Sequence, residues 1–105
     1  MTKLQNAETD YFFKAVLSLE TVEDCRQFFD DICTIKELEA LSQRYQVARQ
    51  LADGRNYNEI CEDTGASTAT ISRVNKCLQY GSGGYRIVLE RIKGDAEDVG
   101  GYFEK

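Results

Sequence analysis

A chain of 105 residues has room for one domain with a modest core, and 42% hydrophobic with 30% charged residues describes an ordinary globular protein. No apolar run approaches the ~20 residues that cross a bilayer, and the patch Tyr11-Phe12-Phe13 is too short for a signal peptide, so a cytoplasmic protein without a membrane partner is expected. With no histidine, and with Cys25, Cys33, Cys61 and Cys77 outside any CxxC pair, neither a metal site nor a cofactor is expected, and an enzyme is the least favoured class.

From Gln5 to Leu19 the apolar residues Tyr11, Phe12, Ala15, Val16 and Leu19 recur at helical spacing, which predicts an amphipathic helix with a dense aromatic stripe. Thr21 with Asp24 then caps a second helix running to about Cys33, with Val22, Cys25, Phe28, Phe29 and Ile32 on its inner face. Both faces read as core or dimer packing. Thr34 and Glu37 form a capping box that opens the longest helix, which stops at Gly54. Its expected buried stripe is Leu38, Leu41, Tyr45, Ala48, Leu51 and Ala52, with Arg44 and Arg49 on more exposed flanks.

The stretch Asn56 to Leu78 has the grammar of a helix-turn-helix. Asn56 and Glu59 form a capping box, Gly65 breaks the first helix, and Ser67 caps a second of apolar period. In the first helix Ile60 and Thr64 are expected to point inward, and Tyr57, Asn58, Cys61 and Glu62 toward the sides that approach a DNA backbone. In the second, Ile71, Val74 and Leu78 follow a buried spacing and leave Thr68, Ser72, Asn75 and Lys76 on the other face, with Arg73 between and Ala69 and Thr70 near the tip. Small hydroxylated residues at a helix start suit DNA, because side chains and unpaired backbone N–H groups both reach phosphate there. Arg73 and Lys76 add charge-assisted contacts.

A net charge of −5 argues against phosphate until its distribution is considered. Residues 1–53 hold six basic and ten acidic side chains, whereas Gly65 to Leu89 carries only Arg73, Lys76 and Arg86. That leaves a positive face on an acidic body, and exposed charges are screened from one another over ~8 Å at physiological salt. Tyr80-Gly81-Ser82-Gly83-Gly84 is a connector lacking the pattern of a phosphate loop, and Tyr85, Val88, Leu89 and Ile92 predict a last short helix. The four cysteines read as small, reduced, mostly buried apolar residues. The fold expected is all-α with about six helices, a single domain over residues 1–93 containing the helix-turn-helix at 56–78, and an acidic flexible tail at 94–105.

From Thr34 to Leu78 the chain resembles the tryptophan repressor superfamily, and within it the Trp-repressor-like subgroup of bacterial regulators. The stretches TIKELEAL, RYQVARQLADG, NYNEI and GASTATISRVNKCL carry the resemblance. It implies an intertwined homodimer whose two helix-turn-helix heads enter successive major grooves of double-stranded DNA. By position it assigns DNA contact to Ser67, Thr68, Ala69, Thr70 and Ser72, with Asn58 and Cys61 in supporting places. Cys61 replaces a lysine of the repressor, so the operator is expected to differ.

The same resemblance outlines a ligand pocket at Thr34, Arg44, Arg73, Val74 and Cys77. The threonine and both arginines are kept. Val74, however, stands where the repressor has the glycine that makes room for an indole ring, and Cys77 stands where it has a serine. An isopropyl group in that space costs ~1–3 kcal/mol of overpacking, so the protein is not expected to use L-tryptophan as a corepressor. The reading is a sequence-specific transcriptional regulator, a repressor; the alternative is a helical interaction module that binds a partner protein through its aromatic amino-terminal helices.

Overall fold

The computed structural model describes residues 6–95, with side chains described as far as residue 93. Six α-helices follow in order: α1 (Ala7–Leu17), α2 (Val22–Ile32), α3 (Ile35–Ala52), α4 (Tyr57–Thr64), α5 (Thr68–Tyr80) and α6 (Gly84–Asp95). No strand occurs among the described residues, so the all-α architecture of six helices stands. The chain divides after Leu38 into two compact units.

In the first unit the caps decide where the helices begin. Asn6, rather than Gln5, opens α1: its side-chain oxygen accepts from the Thr9 N–H at 2.8 Å. The helix closes at Leu17, two residues before the expected end, where the Ser18 hydroxyl donates to the Ala15 carbonyl and competes with continuation. Thr21 caps α2 by accepting from the Asp24 N–H at 3.0 Å, while the Asp24 carboxylate accepts from Glu20 N–H and so reaches one residue past a true capping box. Phe12 packs on Phe28 with ring centroids 6.2 Å apart, and Phe28 meets Phe29 edge to face at 5.3 Å. Neither helix buries a residue fully; Tyr11 is 78% and Leu17 81% exposed.

The second unit holds the core. Val47 and Ala48 of α3, Ile60 of α4, Ala66 of the following turn, and Ile71 and Val74 of α5 form one buried cluster, with Leu51, Tyr57, Cys61 and Tyr85 packed against it. The expected α3 stripe is corrected here. Leu38, Leu41 and Ala52 are exposed, Tyr45 and Leu51 are half-buried, and the residues fully inside are Val47, Ala48 and Gln50. Periodicity finds an apolar face, but α3 turns the face holding Gln43, Val47 and Gln50 toward α4, and that face is mostly polar.

Two further expectations change. None of the four cysteines is buried: Cys25, Cys33 and Cys61 are half-buried and Cys77 is exposed. Val88 is also exposed, leaving Tyr85, Leu89 and Ile92 as the half-buried side of α6. The backbone of α6 continues helical through Gly94 to Asp95, and the rest of the expected tail, residues 96–105, lies outside the described residues.

Candidate nucleic-acid interface

The Asn56 capping box forms in full: Asn56 Oδ1 accepts from Glu59 N–H at 2.9 Å, and the Glu59 carboxylate accepts from Asn56 N–H at 3.1 Å. Nine residues after Asn56, Gly65 takes φ +74, the left-handed conformation that closes α4 without a Cβ penalty. Thr64 stitches the turn: its hydroxyl donates to the Ile60 carbonyl at 2.7 Å and accepts from Ala66 N–H at 3.1 Å. Ala66 is buried, which pins the chain between the helices, and Ser67 then caps α5 by accepting from Thr70 N–H at 3.1 Å.

The two faces of α5 separate as the spacing predicts. Ile71, Val74 and Leu78 are buried, while Ser67, Thr68, Ala69, Ser72, Arg73 and Lys76 are exposed; Thr70 is half-buried beside the Ser67 hydroxyl, and Asn75, expected on the outer face, is half-buried as well. No acidic residue lies in the first turn of α5. The helix ends at Gly81, where a Cβ would collide with the Cys77 carbonyl oxygen, and Arg86 Nε caps the end by donating to the Leu78 carbonyl at 3.0 Å. Arg86 is therefore engaged at the foot of α5, and the exposed cations of the helix itself are Arg73 and Lys76.

On α4, Asn58 and Glu62 are exposed, but Tyr57 and Cys61 are not on the outward side expected of them. Both are half-buried and pack on the core cluster, because a helix of only eight residues must commit more than Ile60 to hold against α5. The residues expected around a ligand are dispersed in role. Val74 is 3% exposed and belongs to the core, the Thr34 hydroxyl accepts from Glu37 N–H in the α3 capping box, and Arg44 and Arg73 are exposed. Cys77 instead lines an open, largely apolar pocket of about 500 Å³ with Tyr45, Tyr85 and the glycine-rich connector. Burial raises the Tyr85 phenol above its ordinary range, the nearby Cys77 adds to the rise, and Arg44 opposes it.

A polar grip of α3 on α4 went unread in the sequence. Gln43 Nε2 donates to the Thr64 carbonyl at 3.1 Å, and Gln50 Nε2 donates to the Asp63 carboxylate at 3.0 Å, which also receives Arg55 at 3.2 Å. The available signal was the i, i+4, i+7 spacing of Gln43, Val47 and Gln50, visible once glutamines are allowed on an inner face.

The chain matches a known family: the model for Trp repressor protein fits residues 7–93. The chain belongs to the Trp repressor family. It is 52% identical over 91 residues to Uncharacterized protein YerC of Bacillus subtilis (strain 168), covering 87% of this chain and 88% of that one. Among solved structures, a TrpR-like protein from Eubacterium eligens superposes with a TM-score of 0.84 at 49% identity, covering 87% of this chain and 94% of its own. A Staphylococcus aureus protein proposed as a Trp repressor gives 0.83 at 49% identity, covering 87% and 91%. At these identities the likeness extends to sequence as well as backbone, and the family assignment covers α1 through most of α6. No helix among the described residues is long and apolar enough to cross a membrane.

Proposed function

We propose that this family member is a homodimeric, sequence-specific DNA-binding transcriptional regulator of the cytoplasm, a repressor that inserts the helix spanning residues 67–78 into the major groove. The observation that carries the reading is the start of α5: an exposed, acid-free set of Ser67, Thr68, Ala69, Ser72, Arg73 and Lys76, held out from a core that uses the opposite face of the same helix. The N–H groups of that helix end attract phosphate, and the hydroxyls and cations supply base and phosphate contacts. Asn58, exposed on α4, is placed to support a backbone contact.

The homodimer is supported by the apolar residues that the single chain leaves open: Tyr11, Leu17, Ile32 and Ile35 are all exposed, and a second copy offers them a surface to bury against. Val74, packed into the core, argues for a regulator that does not respond to L-tryptophan. Selection of bound fragments from a random DNA library tests both levels. An operator with two half-sites about 34–36 Å apart, one turn of duplex, is the expected product. Failure to enrich any sequence, and affinity indifferent to salt, would overturn the proposal. The exposed aromatic face of α1 also suits a helical interaction module, which retention of another protein with no DNA bound at low salt would establish.

A further inference from the structure

We infer that Gln43 and Gln50 are positioning residues that set the angle at which α5 is presented, and with it the specificity of DNA binding, without touching DNA. The inference rests on the DNA-binding reading above. Seven residues apart on α3, the two glutamines lie on one face and flank Val47, which is fully buried in the core cluster. Val47 supplies cohesion without direction, because an apolar contact tolerates sliding. The glutamines supply direction.

Each holds a different part of the α4 terminus. Gln43 takes the carbonyl of Thr64, the last residue of α4 and the one immediately before the Gly65 turn. That carbonyl is one of the helix's orphan acceptors. Two residues on, Ala66 enters the core, and Ser67 caps α5, so a shift at Thr64 moves the whole recognition face. Gln50 takes the Asp63 carboxylate, one residue earlier, where Arg55 from the preceding loop also binds. Gln50 is only 7% exposed. Burying a glutamine costs more than burying a leucine, so what the residue contributes there is its directed donor. Together the two bonds fix translation and rotation of the α4 end relative to α3, as one bond alone does not.

The test compares specific and non-specific DNA affinity. Gln43→Met keeps the side-chain length and removes the donor. Gln50→Glu sets a carboxylate against Asp63, and adding Asp63→Asn restores one hydrogen bond with donor and acceptor exchanged and net charge unchanged, while Arg55 keeps Glu59 at 3.9 Å. Affinities are measured by fluorescence anisotropy for the selected operator and for random-sequence duplex, well below each variant's melting temperature. Gln43→Met is expected to weaken operator binding roughly ten-fold, the scale of one net hydrogen bond, with random-sequence affinity unchanged, and Gln50→Glu, which adds one negative charge, is expected to weaken operator binding roughly ten-fold more than random-sequence binding. The Gln50→Glu/Asp63→Asn pair is expected to recover most of the loss.

A purely structural role would lower melting temperature and leave the ratio of the two affinities alone, and that result overturns the inference. So does a double variant no better than Gln50→Glu. If Gln50→Glu does not fold, the affinity ratio of Gln43→Met decides. Wild-type protein that binds no DNA overturns the functional proposal and this inference together, whereas wild-type binding with unaffected variants overturns the positioning role alone.

Discussion

Val74 offers the sharpest test of how α5 is built. The family resemblance places this residue at a ligand position, yet the structure puts it 3% exposed in the cluster with Val47, Ala48, Ile60, Ala66 and Ile71. Val74→Ala deletes the equivalent of two methylene groups, worth about 1.6 kcal/mol of transfer free energy at ~0.8 kcal/mol each. Its neighbours come from three helices and a turn that are separately fixed by caps and cannot all collapse inward, so a cavity term adds to the loss. The expected destabilisation is about 2 kcal/mol, which lowers the melting temperature of a domain this size by roughly 8–16 °C. Denaturant unfolding at one fixed protein concentration measures it, since stability in an oligomer depends on concentration. Lys76→Ala, on the exposed face, serves as the control and is expected within ~0.5 kcal/mol of wild type. A Val74→Ala loss as small as the control's would show that the isopropyl group is not part of the core, and the account of α5's buried face would fall with it.

Wild-type protein titrated with L-tryptophan in a calorimeter is expected to show no saturable heat at micromolar concentration; saturation there would refute the view that Val74 closes the site. Arg73→Ala and Lys76→Ala should each reduce the slope of log affinity against log salt by about 0.9 for the selected operator, one phosphate contact apiece, and an unchanged slope would remove that residue from the interface. Gly65→Ala meets no atom within 4 Å, so its cost is the backbone at φ +74 alone, roughly 1 kcal/mol in chemical denaturation; a neutral result would mean the turn relaxes out of the left-handed region. Tyr85 should ionise above the usual tyrosine value of about 10 in a spectrophotometric pH titration. Because its proton is held more tightly in the folded chain, its contribution to stability is complete below the unfolded value and is lost as pH rises through the folded one. Tyr85→Phe should flatten that alkaline decline.

Local chemistry in the sequence determined a good deal. Thr21, Thr34, Asn56 and Ser67 cap helices where their types and spacing say they should, because a side-chain oxygen three residues before an orphan N–H needs nothing from elsewhere in the chain. The same holds for Gly65, whose positive φ follows from the missing Cβ, and for the inner row Ile71, Val74 and Leu78, set by a single helical period. The exposed start of α5 was legible for that reason. Which face of α3 would be buried was not, because periodicity singles out the apolar side of Leu38, Leu41 and Tyr45, whereas α4 meets the mostly polar side of Gln43, Val47 and Gln50. Tyr57 and Cys61 turned inward for a similar reason, the short α4 needing more contact than one isoleucine provides. The glutamine grip on Thr64 and Asp63 joins residues 21 and 13 apart. Helix periodicity reports a residue's relation to its own axis, and such bonds depend on where a second axis lies, which tertiary packing alone decides.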